Sequence, residues 1–211
     1  AVNIPILCGS RMADPVMTDK AIADGKIDAA VIGRATLADP HYAKKIEMGR
    51  PEKIRPCINC LVGCLGNSYS GRVVGCAVNP AVRHETKEPI GKAPVAKKIA
   101  VVGGGVAGME FARTAKMRGH EVTIYEKSGR LGGLQIPAGA HEFKKHNHML
   151  VEWYRREMDD LKIPVEYNCE MTPDKLKELA PDIAILATGS VAVMPRSIAG
   201  IDHPKCASAV D

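Results

Sequence analysis

Lys98-Ile-Ala-Val-Val102-Gly-Gly-Gly105-Val-Ala-Gly108 decides the fold of the second half of this 211-residue chain. Lys98 to Val102 is apolar without alternation after its first residue, the pattern of a strand in a parallel sheet covered on both faces. It runs into Gly103-x-Gly105-x-x-Gly108 and then into a helix predicted from Met109 to about Arg118, so the glycines stand at a strand-to-helix turn. In that setting each glycine has its own physical task. Gly103 permits a tight turn, Gly105 lets a pyrophosphate approach the backbone, and Gly108 lets the helix pack close to the strand. The helix start then offers N–H groups to phosphate oxygens.

The next predicted strand, Glu121-Val-Thr-Ile-Tyr125, ends at Glu126, about twenty residues past the glycines, where a carboxylate accepts hydrogen bonds from an adenosine ribose. A helix is expected from about His141 to Leu161, with Phe143, Leu150, Trp153, Tyr154 and Met158 as its core stripe. Pro164 to Tyr167 reads as a short strand, and Thr172 caps a helix from Lys175 to Leu179 with Pro173 at its first position. Asp182-Ile-Ala-Ile-Leu-Ala-Thr-Gly189 reads as a further buried strand. Strands alternating with helices predict an α/β, Rossmann-like dinucleotide-binding domain over residues 97–190. His141, His146 and His148 carry no accompanying ligand set at metal spacing and are read as surface residues.

Upstream, Cys57-x-x-Cys60-x-x-x-Cys64 is followed by Cys76, so four of the seven cysteines fall within residues 57–80. Three thiolates in one tight loop, closed by a fourth from the next turn, favour a 4Fe–4S cluster, because short spacers let one loop reach three irons. Zinc more often takes its cysteines as two separated Cys-x-x-Cys pairs. An odd cysteine count beside nucleotide-binding motifs argues against a disulfide framework and for a reducing, cytoplasmic setting. Cys169 and Cys206 are isolated and read as ordinary thiols.

Residues 1–56 repeat a strand–helix pattern: strands at Asn3–Leu7 and Ala29–Ile32, a helix from Pro15 to Asp24 behind the cap Asp14, and a helix capped by Asp39 that Gly49 closes. Arg11 follows the first strand and Gly33-Arg34 the second, the places where a β/α barrel holds a cofactor phosphate, although an arginine there is more often a surface residue. Two parallel strands and two helices leave open edges and bury too little to stand alone, so these residues are expected to be a piece of a longer polypeptide with further barrel strands upstream. Residues 81–96, rich in lysine, proline and glycine, read as a linker, and 191–211 as a connection onward. Net charge is +5, with basic residues mostly interleaved with acids and few aromatics, which does not describe a nucleic-acid surface. No apolar run approaches the roughly 20 residues of a membrane helix.

Four motifs in this order, Gly33-Arg34-Ala-Thr-Leu-Ala-Asp-Pro40, Arg55-Pro56-Cys57-x-x-Cys60-x-x-x-Cys64, Cys76-x-Val-Asn-Pro80 and the glycine fingerprint, resemble the family of 2,4-dienoyl-CoA reductase, old-yellow-enzyme-like NADH:flavin oxidoreductases and trimethylamine dehydrogenase. The resemblance implies the C-terminal end of a TIM (β/α)8 barrel, an iron–sulfur segment and an FAD-binding domain. It implies that Arg11, Gly33 and Arg34 hold an FMN phosphate, and that Cys57, Cys60, Cys64 and Cys76 ligate the cluster. Gly103, Gly105, Ala107, Gly108, Glu126, Lys144 and Met171 would line the FAD site. Family members often carry Gly-Gly-Gln in the turn after the second strand, where this chain has Gly132-Gly133-Leu134 and Gln135 one place later. The implied activity passes electrons from NAD(P)H through FAD and the cluster to FMN, reducing a C=C bond of a small enoyl-type substrate. Within the family an amine dehydrogenase with a structural ADP is the alternative, and outside it a zinc-stabilised nucleotide-binding module. The family's proton-donating tyrosine and histidine lie on earlier barrel strands, so no catalytic residue is assigned within this chain.

Overall fold

Strand β3 (Lys98–Val102) is the centre of a four-stranded parallel sheet. It pairs with β4 (Glu121–Tyr125) on one side and β6 (Ile183–Leu186) on the other, and β4 pairs onward with β5 (Val165–Glu166), giving the order β5-β4-β3-β6. Flanked on both edges and covered on both faces, β3 is buried from Ile99 to Val102, as its unbroken apolar run requires. The computed structural model describes residues 3–87 and 89–208. Its chain divides into two units, residues 1–90 with 143–153 and residues 91–142 with 154–211.

In the second unit the chain leaves β3 for β4 on one side and comes back to β6 on the other. The C-terminal end of β3 is therefore a topological switch point, where open α/β sheets form their ligand crevice. Helix α5 (Val106–Met117) starts there, three residues before the sequence-based boundary, with Gly105 as its N-cap. It buries Gly108, Met109, Ala112 and Ala115, a stripe of mostly small residues that allows close approach to the sheet. From Tyr154 onward, α7 (His146–Asp160) belongs to this unit. There Tyr154 Oη donates to Glu110 at 2.9 Å and Arg113 Nε donates to Glu157 at 2.6 Å, tying the two helices beside a core of Met109, Leu131 and Met158. Helix α8 (Pro173–Leu179) is capped as expected, the Thr172 hydroxyl accepting from the Lys175 N–H.

In the first unit β1 (Leu7–Cys8) pairs in parallel with β2 (Ala29–Ala30). Helix α1 (Pro15–Ala23) begins at Asp14, whose carboxylate accepts from the N–H groups of Val16 and Met17. Helices α2 (Arg34–Ala38) and α3 (Tyr42–Glu47) follow, and a π-helical turn, Val62–Gly66, leads into α4 (Asn67–Tyr69). The short helix α6 (Gln135–Ala138) lies in the second unit.

Four sequence-based expectations need correction. The first two strands are shorter than Asn3–Leu7 and Ala29–Ile32 and are not buried, Ile4 being 69% and Val31 53% exposed, because each pairs on one side only. Asp39 does not open a helix at Pro40. It closes α2, and its buried carboxylate accepts from His41 N–H one turn before α3 begins. The helix predicted from His141 starts at His146 behind a 3₁₀ turn, Glu142–Lys144, which leaves Phe143 77% exposed and outside the core stripe. Strand β6 is an edge strand with Leu186 75% exposed, since apolar sequence alone does not supply a covering layer.

The tight α5–β3 junction gives a direct test. A Cβ added at Gly108 lies well inside contact distance of the Gly103 carbonyl oxygen, and backbone cannot swing aside as a side chain can. Gly108→Ala is expected to cost about 1–3 kcal/mol, the usual range for overpacking, read as a lower urea midpoint at unchanged m-value.

Candidate nucleotide site and cysteine cavity

Protein contacts enclose the turn after β3 at every glycine but one. At Gly103, which sits at φ +111°, an added Cβ collides with the carbonyl of Ala187, so the end of β6 lies directly against the turn. At Gly104 a Cβ meets the Leu131 side chain and comes within 3.1 Å of Glu126 Oε2. Gly105 has nothing within 4 Å of its Cβ position. Open backbone at the start of a twelve-residue helix is the geometry a diphosphate needs, with N–H groups and the positive end of the helix dipole facing it. Ala107 lies exposed on the first turn of that helix. The Arg130–Gly133 turn packs on the same loop. Gly132 N–H donates to the Gly104 carbonyl at 2.9 Å, and a Cβ at Gly133 would stand 3.2 Å from Gly105 Cα.

Glu126 holds this loop from the neighbouring strand. Its Oε2 accepts from Gly104 N–H at 2.7 Å, and its Oε1 accepts from the Ser128 N–H and hydroxyl at 2.8 and 2.7 Å. Burial pushes the carboxyl upward. The opposing donors from Ser128 and Gly104, together with the Lys127 charge, win and hold it below the usual carboxylate range. Beside it, Cys169 N–H donates to the Glu126 carbonyl at 2.9 Å, and the half-buried Met171 follows two residues later. Sequence reasoning assigned Glu126 a ligand role and missed this grip on the turn, which depends on β4 lying next to β3.

The first unit carries the cysteines. Cys57, Cys60, Cys64 and Cys76 line one cavity, whose wall also includes Arg34 and Leu37. Gly75 N–H donates to the Gly63 carbonyl at 2.6 Å, joining the three-cysteine loop to the segment carrying Cys76. A side chain at Gly63 would press on that segment, its Cβ 3.1 Å from the Gly75 and Cys76 backbone. Burial raises the Cys57 thiol above its ordinary value, while the Asn59 backbone hydrogen bond and the Arg34 charge pull the other way. Among the described residues, no three Cys, His, Asp or Glu side chains are grouped so that they could hold one metal ion.

Residues 97–210 match the pyridine nucleotide-disulphide oxidoreductase family. The chain belongs to that family. It is 41% identical over 210 residues to cinnamate reductase of Clostridium sporogenes, covering 100% of this chain and 31% of the relative. NADH oxidase of Thermoanaerobacter brockii is 40% identical over 197 residues, covering 92% of this chain and 30% of the relative. Among solved structures, 2-naphthoyl-CoA reductase in complex with 2-naphthoyl-CoA superposes with a TM-score of 0.90 at 38% identity, covering 97% of this chain and 31% of that one. The resemblance to old-yellow-enzyme-like flavoproteins thus extends over the whole chain. The chain spans about 31% of the length of cinnamate reductase.

Within this pyridine nucleotide-disulphide oxidoreductase chain, the other sequence-derived residues lie in the first unit. Arg11 is exposed in a loop where Ser10 and Arg11 both take positive φ, +64° and +56°. Burial, then the charges of Lys145 and Arg11, lower the His146 pKa below its ordinary value. Gly33 faces open space, whereas Arg34 turns to the cysteine cavity. Lys144 is exposed on the 3₁₀ turn. No helix among the described residues is long and apolar enough to cross a membrane.

Two measurements test the nucleotide turn. Gly105→Ala adds a methyl group where nothing stands, so it should fold with wild-type stability yet retain adenine dinucleotide more weakly, as read by bound nucleotide after gel filtration. Because the folded-state pKa of Glu126 lies below its unfolded value, its stabilisation is complete above the ordinary carboxylate range and is lost as pH falls through the depressed value. Glu126→Gln should therefore flatten the decline in stability between about pH 5 and pH 3, and an unchanged slope would assign that decline to other carboxyls.

Proposed function

We propose that this chain forms the electron-relay part of a flavin- and iron–sulfur-dependent oxidoreductase. In the whole protein, electrons from NAD(P)H would pass via FAD and a 4Fe–4S cluster to FMN and reduce a C=C bond of an enoyl-type substrate. The observation that carries this reading is a pair of unlike sites on one chain: four thiols around one cavity, and a glycine turn open only where a diphosphate fits.

Cys57, Cys60, Cys64 and Cys76 fit a cluster better than zinc. Structural zinc more often takes its cysteines as two separated Cys-x-x-Cys pairs, whereas these four stand as three in one loop and one on the next segment, all lining one cavity. A cubane takes one thiolate per iron, and short spacers let one loop supply three of them. Such a cluster, when bound, exchanges single electrons between flavins that handle one or two. The chain's own contribution is to hold the four sulfurs on two joined segments, with Leu37 and Val78 among the apolar residues that line the cavity.

Gly103, Gly105 and Gly108 with the start of α5, including Ala107, would hold the FAD diphosphate. A carboxylate has about four lone-pair positions, and Glu126 uses three, two on Oε1 and one on Oε2. Oε2 therefore keeps capacity for one ribose hydroxyl. Met171 and Lys144 are assigned to the adenosine half, and Arg11, Gly33 and Arg34 to the FMN phosphate, with residues 1–56 as the C-terminal part of the FMN barrel. The substrate class rests on the relatives named for cinnamate and 2-naphthoyl-CoA, compounds whose unsaturation is conjugated to a carbonyl group that can draw off charge.

The experiment uses the full-length protein purified without oxygen. Wild type should show the broad visible absorption of an iron–sulfur cluster together with FAD and FMN. Cys60→Ala should lose the cluster absorption and stop electrons reaching FMN, and Cys169→Ala should keep both. A full iron complement in the Cys60 variant would overturn the ligand set, and one flavin with ADP in the wild type would favour the amine dehydrogenase alternative.

A further inference from the structure

The first unit buries a cation to which no cofactor role above is given. Arg55 is 6% exposed and stands two residues before Cys57. Its Nη1 donates at 2.7 Å to the carbonyl of Val78, two residues after Cys76. Its own N–H donates at 2.8 Å to Asp39 Oδ2, and its guanidinium carbon lies 4.5 Å from the centroid of the Trp153 ring. The Trp153 indole N–H donates at 3.0 Å to the Lys53 carbonyl, which also accepts from Lys45 Nζ at 2.7 Å, and the same Lys45 pairs with Asp39. Arg55 is thus gripped through its backbone N–H and through its guanidinium head.

Cys76 is the ligand that needs such a device. Cys57, Cys60 and Cys64 share one loop, so short spacers fix their separation, whereas Cys76 arrives on another segment. Hydrogen bonds hold that segment on each side of Cys76: Gly75 N–H to the Gly63 carbonyl on one side, and Arg55 to the Val78 carbonyl, beside Asn79 Nδ2 to the Leu37 carbonyl, on the other. Resting on the reading of the four cysteines as cluster ligands, we propose that Arg55 is a positioning residue of that site. It bolts the segment entering Cys57 to the segment leaving Cys76, a fixed buried cation that stands two residues before Cys57 in the chain and hydrogen-bonds the carbonyl two residues after Cys76. A cation there favours the more negative, reduced state of a bound cluster and so raises its potential, since net charge and hydrogen bonding set that potential. Lysine keeps the charge but lacks the planar fork that lies over the indole while reaching the carbonyl.

The test compares wild type, Arg55→Met and Arg55→Lys in the full-length, anaerobically purified protein, with two readouts besides turnover. These are the rate of iron loss to a ferrous chelator, and the midpoint potential of the cluster followed by electron paramagnetic resonance. Arg55→Met should lose iron about 10-fold faster, as outer-shell changes at metal sites do, and its potential should fall. Arg55→Lys should lose iron faster than wild type while keeping a potential near it. A Met variant that matches wild type in either readout overturns the proposal. Should the Met variant yield no folded protein, the Lys variant decides alone, with faster release at an unchanged potential supporting the proposal and wild-type release overturning it. A wild-type protein that holds zinc or no metal overturns the cluster reading itself, and this proposal with it.

Discussion

Backbone against backbone at Gly103 and Gly108 is the contact on which the nucleotide half depends. No side chain fits between the first turn of α5 and the end of β3. With that contact made, Met109 and Ala112 reach full burial and the helix start stands over the switch point of the sheet. Gly103 is constrained a second time, by the Ala187 backbone at the end of β6, so the turn joins two neighbouring strands as well as a strand and a helix. Each added methyl group would push main chain, which has little freedom to yield in a close-packed interior.

Glu126 shows how one buried carboxylate can hold a turn from the neighbouring strand. Burial alone would favour its neutral form, yet three donors aimed at its two oxygens reverse the balance. The negative charge so kept is spent on N–H groups of a loop that would otherwise be left partly unpaired. The cysteine cavity follows a similar logic with other chemistry. Gly63 and Gly75 bring two segments into backbone contact, and the thiols then face one cavity from both.

Local signals served well where one residue type has one physical reason to be present. Asp14 and Thr172 cap their helices, and Gly25 and Gly49 take positive φ just past α1 and α3. Such features need only nearest neighbours. Asp39 misled because Asp-Pro is a cap signature, while its buried carboxylate in fact serves the Arg55 N–H and the half-buried Lys45, sixteen and six residues away. Phe143 misled because periodicity was extended across a 3₁₀ turn, which rotates side chains off the α-helical stripe. The grip of Arg55 on Val78 left no local signal, since donor and acceptor lie 23 residues apart and the acceptor is main chain.

By itself the sequence determined residue types and their order: glycines at Gly103, Gly105 and Gly108 between a strand and a helix, a carboxylate at the next strand's end, and four cysteines grouped three and one. These are properties of residue type and short-range order, and backbone sterics make few other residues acceptable there. Tertiary structure alone decided which glycine is left open to a ligand, which oxygens of Glu126 are already engaged, that Arg34 turns to the cysteines, and that Arg55 flanks them. Each of those outcomes depends on which distant segment comes to lie alongside. That is set by the sheet order β5-β4-β3-β6 in one unit and by the joined cysteine segments in the other, and no local window of sequence contains both partners.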